Sequence, residues 1–432
     1  MTYTQLTKLL TPTVLARQRL ASTAVANLLD TDVLIVGAGP AGSCAARVLA
    51  AAGRKVLVID KAVFPRDKCC GDGLTTLALR ELEIIGFRPE QVSSWTPVDS
   101  AWLRSPSGRE VQVPLVGAGQ FAAVTPRLEL DNALVEHARA GGATVLDGHG
   151  FHRIATQTAD HIAVEVAGIG TIRARYVIAA DGMWSPVRKE LGLNEAGYLG
   201  EWHGFRQYAT NVTGPAKDRM YVWFEKDILP GYAWSFPLPD GRVNIGFGVL
   251  RDGVRKVQEM KVLWPDLLSR PHIRNALGAQ AQLEGRHTAW PIPARIDSAV
   301  LGHDRVLLVG DAAMATDSMT GEGIGQALLT GRLAAEAILA AGATQPATAQ
   351  DCYTKSVQHH LFADHRMSVV LGKALASPRG ARGAVRVVGL NAWTRRNFAR
   401  WMFEDEPRAV VLTPSRWHRR FLRRPGAFVS TT

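Results

Sequence analysis

The sequence predicts an α/β protein made of two interleaved units followed by a helical C-terminal region, and three observations predict it. A glycine-rich turn near residue 37 stands between a strand pattern and a helix pattern. Two more strand-then-glycine stretches end near residues 181 and 310, too far downstream for one contiguous nucleotide unit. Short segments between about 200 and 290 alternate apolar and polar residues in the manner of an antiparallel sheet. A Rossmann-like unit interrupted by a mixed β-sheet unit accounts for all three.

Composition sets the outer bounds. The chain has 432 residues, enough for more than one core, and 47% hydrophobic against 21% charged residues is the balance of a globular protein. Cys44, Cys69, Cys70 and Cys352 form no C-x-x-C pair and the 12 histidines no H-E-x-x-H, so neither a metal nor a secreted disulfide framework is expected, and the compartment reads as reducing. Residues 1–30 form an N-terminal extension with Lys8, Arg17 and Arg19 and no acid before Asp30. Its apolar stretch is broken by Thr11-Pro12, where a short helix is expected to start. The run VLIVGAGPAGSCAARVLAAAG, residues 33–53, has the length of a membrane span, yet its glycines, proline and Arg47 suit a strand, a turn and a helix.

Within that run Gly37, Gly39 and Gly42 fit G-x-G-x-x-G, and KVLVID then supplies a second strand ending at Asp60. Gly37 permits the tight turn, Gly39 lets a pyrophosphate approach the backbone, and Gly42 lets the helix pack on the strands. The helix N-terminus attracts phosphate. Asp60 can accept ribose hydroxyls, and Ala41 and Lys61 complete the cofactor-binding set expected of this stretch. Downstream, RARYVIAADG brings a strand to Asp181. DRVLLVGDAAM brings another to Gly310 and Asp311, and a turn at Gly321 and Gly323 opens a helix at Ile324.

Together these stretches resemble the flavoprotein family that includes aromatic hydroxylases of the p-hydroxybenzoate type. The resemblance implies FAD, with Asp311 on the ribityl chain, the 321–323 turn beside the isoalloxazine, and Arg127 of TPRLELDNALVEHA near the flavin. Backbone N–H groups at that helix start would stabilise the anion of reduced flavin. FPRDKCCGDGLT, LPGYAWSFPLPDGRVNIGFG and TGEGIGQAL narrow the match. They look like the geranylgeranyl reductase family over about residues 31–350, and most like its actinobacterial branch acting on menaquinone side chains. The family's cysteine before glycine matches Cys70, which on its own reads as a small buried hydrophobe. Cys69 stands where relatives often carry proline or another residue, and adjacent cysteines are poorly placed to pair. Two departures are visible: Asp317-Ser318 replaces Asn-Pro, and Pro230-Gly231-Tyr232 is one residue shorter than the archaeal spacing.

The resemblance implies an FAD-dependent reductase that saturates double bonds in the prenyl chain of an isoprenoid lipid, a menaquinone tail or a geranylgeranyl group. An isolated prenyl double bond has no carbonyl to absorb charge, so protonation toward a tertiary cation, before or together with hydride delivery, is the expected route. Tyr232, Trp234 and Phe236 alternate along an expected strand and share one face, where rings can bind an apolar chain and stabilise a cation. The same pattern also fits an ordinary aromatic face packed in a core. Cys70, Tyr232 and Trp234 are the expected catalytic residues, and Tyr232, Trp234 and Phe236 the substrate-binding ones. Cys70, Tyr232 and a bound water stay open as proton donor. One alternative is a monooxygenase or halogenase on the same scaffold, but a halogenase is expected to carry Trp-x-Trp-x-Ile-Pro where YAWSFP stands. Another is a non-catalytic flavin-binding lipid carrier. Without a second dinucleotide fingerprint, NAD(P)H and a ferredoxin-like protein both stay open as electron donor.

Residues 31–95, 126–195 and 291–350 are thus expected to form the FAD-binding domain, and 96–125 and 196–290 the substrate-binding domain. RMYVWFE and RVNIGFGVL serve as strands of the latter. Residues 351–432 form a basic helical region: from Met367 onward 13 Lys and Arg stand against three acids, a net +10 of the chain's +11. Arginines interleave with Trp and Phe in NAWTRRNFARWMF and SRWHRRFLRRPGAF, which suits an anionic membrane surface, although a solvated helical face would carry the same charges. No nucleic-acid reading motif is present, so a cytoplasmic protein peripherally associated with the membrane is expected.

Overall fold

The computed structural model describes residues 30–251, 257–421 and 423–429, so the N-terminal extension and its expected helix lie outside the described residues. The described chain opens on β1 (Asp30–Val36), α1 (Pro40–Ala51) and β2 (Val56–Asp60). β3 (Gly73–Leu74), α2 (Thr76–Ile84), β4 (Thr96–Pro97), β5 (Ser100–Arg104), β6 (Glu110–Pro114), β7 (Ala123–Val124) and α3 (Arg127–Ala140) follow. Next come β8 (Thr144–Asp147), β9 (Phe151–Gln157), β10 (Ile162–Val166), β11 (Gly170–Ala179) and α4 (Pro186–Glu190). The middle of the chain supplies β12 (Trp202–Thr210), β13 (Met220–Trp223), β14 (Tyr232–Pro237), β15 (Val243–Leu250), α5 (Val257–Ser269), α6 (Pro271–Leu277) and β16 (Gln282–Ile292). Last are β17 (Gly302–His303), β18 (Val306–Leu308), α7 (Ile324–Ala341), α8 (Pro346–Val357), α9 (Ala363–Leu375), α10 (Pro378–Val388) and α11 (Ala392–Met402).

One sheet runs β17-β18-β11-β1-β2-β8, with β10 and β9 continuing from β11. Its central strands β18, β11, β1, β2 and β8 are parallel. Parallel strands are covered on both faces, which is why β1 reads as an unbroken apolar run and not as an alternation. α1 packs between α3 and α7. The crossing with α7 is close, since a Cβ on Gly331 would sit 2.2 Å from Ala41 O. The span-length stretch 33–53 is therefore β1, its turn and α1. α7 is itself long and apolar enough to cross a membrane, but it is mostly buried against α1, α2 and α8.

The second sheet has the order β16-β12-β15-β14-β13-β5-β6 and is antiparallel except where β13 lies beside β5. Its side chains alternate between two environments. Phe205, Tyr221, Trp223, Ile245 and Phe247 enter a core with Trp264 of α5, whereas Met220, Val222, Tyr232, Trp234 and Phe236 line a cavity. Segment 96–125, expected wholly in this unit, divides: β5 and β6 join the sheet, while β4 and β7 pair with β3 in a small separate sheet. Two-residue strands are too short to carry a period.

The helical region expected over 351–432 stops at Met402. Beyond it the described residues form turns and two short 3-10 segments, because Pro407, Pro414 and Pro425 keep interrupting any helix. This tail folds back onto the body. Gln120 exchanges both backbone hydrogen bonds with Ala427, Gly426 N donates to Ala118 O at 2.7 Å, and Phe428 N donates to Glu83 Oε1 at 2.8 Å.

Candidate active site

A single continuous cavity of about 790 Å³ is lined by both large sheets. At one end, Gly37 has φ +103°, and a Cβ there would sit 2.3 Å from Ala180 O; one on Gly42 would sit 1.9 Å from Gly37 O. The turn therefore requires glycine at both positions. Gly39 instead opens toward the cavity, its nearest neighbour being Arg66 Nη2 at 3.6 Å. Pro40 begins α1, where its missing N–H costs nothing, and the helix N-terminus faces a site suited to an anion. Asp60, at the end of β2, accepts from Ala38 N and Ala62 N at 2.8 Å each, which fixes the turn while the residue lines the cavity beside Lys61.

Asp181 follows β11 and caps α4 through Val187 N at 3.1 Å; burial pushes its carboxyl up to about 6. Gly310, at φ +58°, starts the short turn that carries Asp311. Asp311 is partly buried, and Lys68 Nζ at 3.0 Å overcomes the desolvation to hold its carboxyl below the usual range. Asp317 shapes the next turn by accepting from Met319 N at 3.0 Å and Thr320 N at 2.8 Å. Gly321, Glu322, Gly323 and Ile324 then line the cavity at the start of α7. Arg127 also lines it; Asp131, one turn along α3, grips its guanidinium through two bonds of 2.7 Å.

At the other end Tyr232, Trp234 and Phe236 line the cavity together, with ring centroids 6.1 and 6.2 Å apart along β14. The Tyr232 hydroxyl donates to Thr320 O, tying the aromatic strand to the turn before α7. Trp234 needs a bare backbone beneath it: a Cβ on Gly246 of β15 would meet its Cζ2 at 2.5 Å. The bend holding Cys70 abuts this wall, since Cβ atoms on Gly71 and Gly73 would lie 3.4 Å from Trp234 and 3.2 Å from Phe236. Cys70 Sγ accepts from Asp72 N at 3.4 Å, and burial pushes the thiol up to about 11. Cys69 lines the cavity too, beside Thr288, and all four cysteines are free thiols.

Of the residues expected from sequence, Gly42 does not line the cavity but supports the turn from behind; all the others line it. Several residues here were not expected. Asp72 is fully buried at φ +64°, a backbone state that Asp tolerates better than most. It accepts from Tyr208 Oη at 2.6 Å, Asn244 Nδ2 at 2.7 Å and Arg127 N at 3.2 Å, and burial still pushes it up to about 6. Asn244 also donates to Cys70 O at 2.8 Å and accepts from Trp234 Nε1 at 3.0 Å, so one amide ties the Cys70 bend to the aromatic wall. Glu322, partly buried at the α7 start, is pushed up to about 7 by desolvation. Asp131, which holds the expected Arg127, was not singled out either; its only signal was the spacing of four from Arg127 on a helix.

This cavity fits a flavin dinucleotide. A glycine-only turn before a helix N-terminus suits a pyrophosphate, the Asp60 and Asp311 carboxylates suit sugar and ribityl hydroxyls, and the α7 N-terminus suits an electron-rich ring.

Residues 30–345 match the family described as FAD binding domain. The menaquinone reductase of Mycolicibacterium smegmatis is 33% identical over 370 residues, covering 81% of this chain and 85% of the relative. That of Mycobacterium tuberculosis is 36% identical over 331 residues, covering 71% and 76%. Digeranylgeranylglycerophospholipid reductase 2 of Methanopyrus kandleri is 32% identical over 314 residues, again covering 71% and 76%. Among solved structures, a geranylgeranyl bacteriochlorophyll reductase-like protein from Thermoplasma acidophilum aligns with a TM-score of 0.74 at 24% identity, covering 89% of this chain and 98% of that one. A complex of halogenase PltM with FAD aligns at 0.67 and 18%, covering 87% and 83%. At those identities the two structures show a shared fold. The sequence matches go further: the chain belongs to the FAD-binding oxidoreductase family that contains the menaquinone and digeranylgeranylglycerophospholipid reductases, and FAD is its cofactor.

Proposed function

We propose that this protein saturates carbon–carbon double bonds in the prenyl chain of an isoprenoid lipid, a menaquinone tail or a geranylgeranyl group. The observation that carries the reading is the continuity of one cavity from the flavin motifs to an apolar wall of Met220, Val222, Tyr232, Trp234 and Phe236. FAD, once reduced by an external donor, supplies hydride. The rest falls to the chain's own residues. The aromatic faces bind the apolar chain and favour a transient cation over it. Burial in this wall excludes water that would otherwise trap such a cation. Asn244 and Asp72 hold the Cys70 bend against the wall, fixing where the chain lies.

The lipid reading extends to the C-terminal region. On α10, Ala381, Val385 and Val388 are buried while Arg379, Arg382 and Arg386 are exposed. Leu390 and Trp393, which follow, are 64% and 69% exposed, an unusual state for large apolar side chains amid arginines. α11 starts beside Trp393 and ends at Met402, which lines the cavity; nine residues of helix span about 14 Å. A peripheral protein resting this face on anionic lipid would hold its cavity one helix length from the bilayer. Anaerobic incubation of the reduced protein with a prenyl quinone, followed by mass spectrometry, tests the reading: the product gains two hydrogens. An oxygen-labelled product from labelled dioxygen would favour a monooxygenase instead.

A further inference from the structure

A second cavity, of about 110 Å³, is enclosed by α2, α7, α9 and the C-terminal tail. It has several times the room one water needs, roughly 15 Å³. Its walls hold polar atoms that lack partners among the described residues: Gln326 Oε1 and His365 Nδ1, on side chains of residues 3% and 6% exposed. Buried polar atoms of this kind are ordinarily satisfied by water.

Glu404 stands between the two cavities. It walls the small one, and its Oε2 shares a hydrogen bond of 3.1 Å with Thr75 Oγ1, in which the hydroxyl donates to the carboxylate and the protonated carboxyl donates to the hydroxyl, while Thr75 lines the large one. Thr75 occupies the N-cap position of α2 without capping it, so its hydroxyl is committed to Glu404. On the other oxygen, Gln326 Nε2 donates at 2.8 Å and Arg408 Nη2 at 3.3 Å.

Arg408 is buried and meets two carboxyls, Glu404 and, at 3.5 Å, Asp317. Asp317 also takes two backbone N–H groups and the hydroxyls of Thr320 and Ser368, and stays ionised below its usual range. Burial, with Asp317 and Glu322 nearby, pushes Glu404 up to about 8 against the pull of Arg408. Across the small cavity, burial and Arg416 hold His360 neutral, down at about 4, and burial lowers His365 despite Asp297. Asp364 is paired with Arg416, and Glu81 with Arg332; Glu406 faces His418.

We propose that Glu404 stores the proton consumed in the reduction and passes it through the Thr75 hydroxyl into the large cavity, with water in the small cavity refilling it. The proposal rests on the reading of the reaction as double-bond saturation. There the π bond breaks, hydride from reduced FAD forms one C–H bond and a proton forms the other. The Glu404 O–H bond breaks as Thr75 accepts its proton and releases its own, and a proton from solvent, relayed by water that is itself regenerated, restores the carboxyl. Cys70, at about 11, and Tyr232, higher still, match neutral pH less well than this acid does.

Two measurements on the FAD-loaded full chain decide it. In an infrared pH titration, the wild-type protonated-carboxyl band should contain, beside the share of Glu322 that is lost near 7, a component lost with a midpoint near 8 that is missing from Glu404→Gln. In single-turnover oxidation of the reduced protein by a prenyl quinone, the wild-type rate should fall as pH rises through that midpoint, because the proton-bearing form is lost. Glu404→Gln should lose about 100-fold in rate, along with that alkaline limb. Thr75→Val, which keeps the β-branched shape, should do the same, and Thr75→Ser should restore both, with FAD content equal throughout. Undiminished band amplitude above the share of Glu322 in Glu404→Gln, or a Thr75→Val protein with wild-type rate and pH limb, would overturn the relay. A wild-type protein that reduces no prenyl double bond would instead sink the reading of the reaction, and the relay with it, while the infrared band would still report whether Glu404 holds a proton.

Discussion

Replacing Asn244 by leucine should uncouple the Cys70 bend from the aromatic strand. Asn244 is fully buried on β15 and joins three groups: Trp234 Nε1, Cys70 O and Asp72 Oδ2. Leucine fills a similar volume but offers no polar atom. Asp72 keeps the Tyr208 hydroxyl, so Trp234 Nε1 and Cys70 O are the two groups left without partners. At about 1–3 kcal/mol for each orphaned group, the variant should lose about 4 kcal/mol of stability, a large part of the roughly 10 kcal/mol that a protein commonly has. Denaturant unfolding followed by tryptophan fluorescence reads the first effect. For the second, kcat/KM on a prenyl quinone should fall on the order of 100-fold, since displacing groups around a reacting centre by an ångström has such consequences. FAD affinity should hold, because Gly37, Asp60 and Asp311 are fixed by bonds of their own. Unchanged kinetics in a destabilised variant would show that something else positions the bend. Loss of FAD together with substrate would show that the network serves the whole cavity, and either result refutes the reasoning.

Cys70→Ser should impair turnover more than Cys69→Ser, because the Cys70 bend abuts Trp234 and Phe236 whereas Cys69 lies beside Thr288; equal losses in steady-state assays would contradict this. Replacing Arg382, Arg386 and Arg396 together by glutamine should weaken binding to anionic vesicles by about 100-fold at low salt, at about 1 kcal/mol per arginine, and leave activity on a short soluble prenyl analogue intact. Vesicle co-sedimentation with unchanged binding would mean that these charges only face water. Asp72 gives a pH signature for stability: its folded value of about 6 lies above its ordinary value near 4, so the folded state binds the extra proton. Its contribution is complete at low pH and declines as pH rises from about 4 to about 6, by about 3 kcal/mol in all. Thermal unfolding across that window should show the decline, and Asp72→Asn should make it shallower by that amount, leaving the share of Asp181, which is also raised to about 6.

The flavin end of the cavity was legible in the sequence because its constraints are local. Gly37 and Gly42 are dictated by atoms a few residues away or on the adjoining strand, and strand, turn and helix follow each other directly. The second sheet was legible through its period of two, which survives in β13, β14 and β15 as an alternation between core and cavity. The Asp72 network was not, because it joins positions 136 and 172 residues apart, and each member alone reads as a turn or strand residue. The C-terminal arginines were legible as surplus charge, but which of them find buried partners was not. Arg400 is paired with Asp405 and Arg408 with Asp317 and Glu404, while Arg379, Arg382 and Arg386 of α10, Arg396 of α11 and Arg419, Arg420, Arg423 and Arg424 of the tail stay exposed.

The folded-back tail also fixes when the protein can become competent during its synthesis. Met402, Phe403 and Glu404 finish walls of the two cavities, and the turn that carries them is held by later residues: Arg80 grips Asp405 and Pro425 O, and Ala427 pairs with Gln120. The parallel sheet can assemble as soon as β18 has emerged, and nascent chains generally fold in that vectorial order. A ribosome-bound chain could therefore take up its nucleotide early while still presenting an open trough where the lipid belongs. Closure waits on the final segment, so a chain stalled or clipped before residue 402 should be yellow and inert.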